Sequence, residues 1–157
     1  MRREHFTLSA HGVDWIETDG EPRRPSVTID FTGPTSELRE RLTDPEGEPL
    51  DAAAIDVAFR LQGDLDDDPT TGVVAVTDRM TGDFILELNA DVDDVLTFLD
   101  AARGYGERAS GEEGRYEVVI LLDDEPFVTY EKGTFLVYDG EGDLLRRHSL
   151  IPSGIEL

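Results

Sequence analysis

The chain has no cysteine and a single lysine, Lys132, among its 157 residues. The first absence removes disulfides, thiolate metal sites and cysteine nucleophiles together. The second shows what fills the basic positions: of 14 basic residues, all but Lys132 are arginine. Histidine is scarce, with only His5, His11 and His148. Long apolar runs are missing as well. The longest is Val118 to Leu122, far short of the roughly 20 residues a membrane-crossing helix needs. Arg2-Arg3 opens the chain like a twin-arginine export signal, but no apolar stretch of roughly 7–15 residues follows it. Ser9, His11, Gly12 and Asp14 interrupt the segment instead. The reading is cytoplasmic, with no membrane contact.

What is abundant is negative charge. There are 36 acidic residues, and the formal net charge is -22. A disordered acidic tail concentrates its charge in blocks and lacks apolar segments. Here the acids are spread along the chain between well-formed apolar stretches, and 38% of residues are hydrophobic. At low ionic strength such a charge works against the compact state through self-repulsion. At about 1 M salt the Debye length falls to roughly 3 Å and the repulsion is screened. The composition therefore points to a protein adapted to a salt-rich interior. The length suits one domain, residues 1–157, that buries a substantial core without a staple.

Period-two alternation dominates the chain. Phe6 and Leu8 alternate with Thr7 and Ser9; Val27, Ile29 and Phe31 alternate with Ser26, Thr28 and Asp30. Ile55, Val57, Phe59 and Leu61 form the clearest strand. Val73 to Thr77 and Phe84 to Leu88 read as a hairpin turning around Asp78 to Gly82. Tyr116, Val118, Ile120 and Leu122 follow, then Phe127 to Glu131 and Thr134 to Tyr138. Asp139 to Asp143 reads as another hairpin turn, with Leu144 to Leu150 returning. Thr35 to Leu42 reads as two helical turns capped by Thr35 or Ser36. The spacing of Val92, Val95, Leu96 and Leu99 predicts the main helix over 91–103, stopped by Gly104 or Gly106. The fold class is α+β, mainly an antiparallel sheet of about seven to nine strands in a meander, with the helix on one face. The alternative is a two-sheet β-sandwich with an inserted helix.

Chemistry-bearing motifs are few. Gly104-Tyr105-Gly106-Glu107-Arg108-Ala109 has the letters of a dinucleotide fingerprint, but follows a helix instead of a strand. Asp64, Asp66 and Asp68 match the first ligands of a calcium loop, yet Pro69 stands where the turn needs glycine and Ala75 where a bidentate glutamate belongs. The loop reads as solvated charge. The three histidines read as separate edge or surface residues, since nothing in the order places His148 beside His5 and His11. Carboxylate pairs carry no information among 36 acids. No nucleophile elbow or phosphate loop occurs. No catalytic residue, cofactor or metal ligand is assigned.

The arginine pairs stand out more. Arg2, Arg3, Arg23, Arg24, Arg146 and Arg147, with His148, form a candidate anion or partner patch if they converge. Against this, Arg146 and Arg147 point to opposite faces if their segment is a strand, and each arginine has acids nearby to pair with. The C-terminal stretch Ser149 to Leu157 is apolar for a chain end, which suits packing on the domain or docking into a partner.

The chain resembles the small uncharacterised acidic proteins of salt-loving (halophilic) archaea. The resemblance rests on Arg2-Arg3 leading to Phe6-Thr7-Leu8, on Ile55 to Gln62, on Leu86 to Asp91, and on Thr134 to Asp139 through Ser149 to Gly154. It spans nearly the whole chain, implies a salt-rich setting, and brings no functional residue with it.

The leading functional reading is a non-enzymatic interaction or scaffold domain with a protein partner. One alternative is a small-ligand binder or enzyme built from scattered residues. Another is nucleic-acid contact through the arginine patch, which the net acidity disfavours. A deep pocket floored by arginine or histidine favours the ligand reading. A shallow surface with an exposed apolar patch favours the interaction reading.

Overall fold

Alternation in sequence becomes the two faces of each strand. In β2 (Ser26–Phe31), Val27, Ile29 and Phe31 are buried, while Ser26, Thr28 and Asp30 are partly exposed. The same period organises β3 (Ile55–Leu61), β4 (Thr71–Asp78) and β6 (Tyr116–Leu122). The structure is a computed structural model of the chain and describes residues 5–13, 24–62, 71–108 and 116–151. β1 (Phe6–His11), β5 (Phe84–Asp91), β7 (Glu125–Lys132) and β8 (Leu136–Tyr138) complete the strands.

They form two four-stranded sheets. Sheet I has the order β1-β2-β6-β7 and sheet II the order β5-β4-β3-β8. The class is α+β, and neighbours close in sequence pair antiparallel, the β4–β5 hairpin among them as its turn predicts. Leu144 to Leu150, expected to return as a strand, meets Tyr138 and Phe135 only through isolated bridges. The meander is corrected, because β2 pairs parallel with β6 and β3 pairs parallel with β8. A parallel pair needs a crossover. Between β2 and β6 the chain builds most of sheet II and the main helix, and this long return leaves no local mark in the sequence.

The inner faces of the two sheets share one core. Leu8, Val27, Ile29 and Val118 of sheet I, Val57 and Val74 of sheet II, and Phe135 just before β8 line one apolar void of about 20 Å³. That is about the room for one water, and an apolar site of this kind stays dry. The arrangement is sandwich-like.

Two helices complete the fold. α1 (Thr35–Arg41) buries Leu38 and is tied to β5 by Arg41, which donates to the Ile85 carbonyl at 3.3 Å. Its N-cap is Pro34, with no side-chain hydrogen bond, so the expected cap at Thr35 or Ser36 is corrected. α2 (Val92–Arg108) buries Val92, Val95 and Leu99 as the spacing predicts, but Leu96 is only partly buried and Phe98 takes the core position beside Leu99. Phe98 lies 5.5 Å from Tyr116 and 6.4 Å from Phe135 between ring centroids, so α2 touches both sheets instead of covering one face. The helix also runs past Gly104 and Gly106 to Arg108. Glycine costs a helix about 1 kcal/mol. Tertiary contacts near the end offset it: Arg103 donates to the Ser149 carbonyl, and the Arg24 guanidinium lies over the Tyr105 ring. The fingerprint letters therefore fall at a helix C-terminus, the end that disfavours phosphate.

Three tips of the chain share one device. Asp44 accepts the N–H groups of Glu46 and Glu48, Asp139 those of Glu141 and Asp143, and Asp78 those of Met80 and Thr81. In each, a glycine with positive φ (Gly47, Gly142, Gly82) follows and donates back to that aspartate's carbonyl. Aspartate satisfies the turn's amides, and glycine takes the left-handed position.

Lys132 is buried, at 7% exposure, although it is a lysine. From β7 its Nζ donates to the carbonyls of Ala52 (2.7 Å) and Ile55 (2.8 Å), at the start of β3. It thus stitches sheet I to sheet II, and burial lowers its pKa below the usual lysine value.

A candidate interaction face on the second sheet

The outward side chains of sheet II follow from its register. Ala58 of β3 pairs with Ala75 of β4, which pairs with Glu87 of β5; on the other side Ala58 pairs with Leu136 of β8. The next row is Asn89, Val73, Arg60 and Tyr138. The two central strands therefore offer alanine at the middle of the face, where nothing extends past Cβ. Larger side chains rise on the outer strands. The result is a trough of about 1100 Å³ along the outer face of the sheet, with Phe84 and Glu87 on one wall and Leu136 and Tyr138 on the other.

An irregularity in β5 completes the wall. The register shifts where Thr77 meets Phe84 while Val76 meets Leu86. Ile85 and Leu86 are both buried in succession, and Phe84 turns outward beside Thr77. A bulge of this kind re-aims a side chain. Phe84 is left 57% exposed, and Met80, in the same hairpin, is 85% exposed. Among the described residues these are the exposed large apolar side chains. Their position at one tip, beside the trough, makes a patch out of what would otherwise be scattered surface.

The trough is electrically balanced. Its charged residues are Asp56, Glu87, Arg60 and Arg79. Arg79 donates through Nε and Nη2 to Asp56, and that hydrogen bonding raises its guanidinium pKa above the ordinary value. Arg60 is exposed and reaches the Gly140 carbonyl at 3.3 Å. On a chain with a net charge of -22, a face carrying two charges of each sign is set apart from the rest.

The arginines singled out from the sequence lie elsewhere. Arg2, Arg3 and Arg23 fall outside the described residues. Arg24 pairs with Glu117 at 3.4 Å and Glu131 at 2.9 Å, both of sheet I. Arg146 and Arg147 are exposed and His148 half-buried, on the segment that flanks β8. Arg24 is thus engaged by carboxylates of its own sheet, and Arg146 has contacts of its own. The calcium-like loop at Asp64 to Asp68 lies outside the described residues too. His5 packs edge-on against Phe31, and His11 ends β1. Among the described residues the one acidic or histidine cluster with mutually close ligand atoms is Asp139, Glu141 and Asp143, within 4.8 Å of one another. One oxygen of Asp139 already accepts two backbone N–H groups there, as in the turns at Asp44 and Asp78.

The trough residues leave only a faint mark in the sequence. Alanine is a poor strand former, and two outward alanines, Ala58 and Ala75, sit opposite each other in the two central strands, β4 being otherwise rich in valine and threonine. That mismatch is the signal that could have found the face.

Fold and face together define a two-sheet α+β protein with a concave, charge-balanced apolar surface on one sheet. The chain belongs to the family of unknown function DUF5793, which matches residues 1–157. No curated protein and no solved structure matches it. Among the described residues no helix is long and apolar enough to cross a membrane.

Proposed function

We propose that this chain is a protein-interaction domain that works through the trough of sheet II, in a cytoplasm rich in salt. The observation that carries the reading is the alanine floor of Ala58 and Ala75 beside an exposed Phe84 and Met80. Exposed aromatic and methionine side chains around a desolvatable apolar centre are what interaction surfaces are made of. The core void of about 20 Å³ is too small for any ligand beyond water. The trough, at about 1100 Å³, is open and broad, larger than small-molecule pockets usually are. Among the described residues this broad, partly apolar surface supports the interaction reading over the small-ligand one.

The salt-rich setting is supported by the charge of -22 and by the near absence of lysine from the surface, since the one lysine is buried. Thermal melts should show the midpoint rising by tens of degrees from 0.1 M to about 2 M KCl, as screening removes self-repulsion. An unchanged midpoint would contradict the adaptation.

The face is tested by placing a photo-crosslinking amino acid at Ala75, and separately at Thr28 on the outer face of sheet I, in cells of the source organism. Adducts of discrete mass from position 75 and not from position 28 support the reading. Equal labelling from both, or none from 75, overturns it.

A further inference from the structure

We infer that the occupant of the trough is an amphipathic α-helix of a partner protein, laid along the strands with an acidic residue over Arg60; this rests on the reading of sheet II as the interaction face. Three observations set the occupant. The first is width. The walls stand on β5 and β8, three strand spacings apart in the sheet order. At about 4.8 Å per spacing that is roughly 14 Å, and a helix with its side chains is about 10–12 Å across. At the middle of the floor Ala58 and Ala75 leave the space unfilled, with Val73 and Arg60 in the row beyond them and Asp56 and Thr77 in the row before.

The second is backbone chemistry. The N–H and C=O groups of β3 and β4 are engaged with strands on both sides. An extended peptide lying on this face finds no ladder to join, and its own backbone groups would be buried without partners. A helix brings its hydrogen bonds with it. The third is charge. Arg60 is exposed and, among the described residues, donates to a single backbone carbonyl, whereas Arg79 is neutralised by Asp56. A carboxylate on the helix flank completes Arg60 with the charge-assisted bond that guanidinium favours. A second copy of this chain fits poorly: its own trough is concave, and the apolar face of α2 is already buried in its core.

The length follows as well. β3 from Asp56 to Leu61 with the adjoining Gln62 lines the trough, a run of about 20 Å at the strand rise. That is about four helical turns, or roughly 14 residues.

The test is a selection from a random 16-residue peptide display library against the full chain, at 0.15 M and 2 M KCl. Binders are then counter-screened against Ala58→Arg, with Ala75→Gln as a milder variant should the first fail to fold. Circular dichroism and melting confirm each fold. Trough-dependent binders with apolar residues at i, i+3 or i+4 and i+7, helical when bound and carrying an acidic flank, support the inference. On Arg60→Glu they should weaken about three- to tenfold at 0.15 M KCl and less at 2 M. Trough-dependent binders with period-two or no periodicity overturn the helix and leave the face standing. Helical binders indifferent to Arg60→Glu overturn the acidic contact. No trough-dependent binder at either salt overturns the interaction face itself.

Discussion

The two sheets turn opposite kinds of surface outward. On sheet I the outward residues of β1 are Thr7, Ser9 and His11, and those of β2 are Ser26, Thr28 and Asp30. Thr28 stands opposite Val119, and Val119 opposite Thr129. β-branched side chains at paired outward positions knit that face together, as cross-strand neighbours do. Arg24 is held by Glu117 and Glu131 at its margin. On sheet II the corresponding centre is Ala58 against Ala75, with no branched side chain to stiffen it, and a bulge exposes Phe84 at the rim. Both sheets carry a register shift, sheet I between Ile120 and Leu121 against β7 and sheet II in β5, but it is in sheet II that the shift leaves a large apolar ring exposed and that the middle of the face is alanine. Departures of this sort concentrate at functional sites.

The contrast can be broken most severely from beneath the trough. Gly72 of β4 faces the core, and a Cβ there would press on the Arg60 carbonyl and the Phe59 ring. Backbone cannot give way as a side-chain tip can. Gly72→Val should therefore cost about 3 kcal/mol in urea unfolding and distort the trough. A loss below about 1 kcal/mol would show that sheet II is looser than described.

A smaller effect separates the inner faces. Both core-facing tyrosines, Tyr116 and Tyr130, belong to sheet I. Burial raises the Tyr116 hydroxyl well above its usual pKa and pushes Tyr130 up to about 12. The folded state thus holds protons that the unfolded chain releases near pH 10. That stability is whole below about pH 10 and is lost as pH climbs toward 12, by about 2 kcal/mol for Tyr130. Lys132, its pKa lowered by burial, opposes this over a lower window. Tyr116 donates to the Thr134 carbonyl at 2.6 Å, while the Tyr130 hydroxyl has no partner among the described residues. Tyr130→Phe should leave neutral-pH stability unchanged or slightly raised and flatten the alkaline loss, whereas Tyr116→Phe costs about 1 kcal/mol. Equal losses for the two would contradict the hydrogen-bond assignment.

The smallest effect sharpens the outer comparison. Phe84→Ser removes a half-exposed ring and should change stability by less than about 0.5 kcal/mol while abolishing capture by the Ala75 crosslinker. Val119→Ser, on sheet I, should do the reverse.

Much of this fold was legible because its information is local. Alternation fixed the faces of β2, β3 and β6, and the Asp-to-Gly turns placed both the β4–β5 hairpin and the tip after β8. The pairing of β2 with β6 and of β3 with β8 joins segments far apart in sequence, and no spacing records it. The main helix ran longer than its glycines suggested because contacts from Arg24 and Ser149 hold its last turns. The candidate site was harder still. Doubled arginines such as Arg146-Arg147 are the conspicuous basic motif in the sequence, whereas the face uses the solitary Arg60 and Arg79. The bulge that exposes Phe84 depends on register, which the strand's own residues do not reveal.

The most direct test of the claim that sheet II gives up sheet stability for a binding face is the melting temperature of Ala58→Val/Ala75→Val at 2 M KCl, measured beside its capture by the selected helical peptides. Valine is the better strand former, so the account predicts a midpoint a few degrees above the parent together with at least tenfold weaker peptide binding. A lower midpoint would contradict it: the alanines would then be demanded by packing, and the trough would be only the shape that packing leaves.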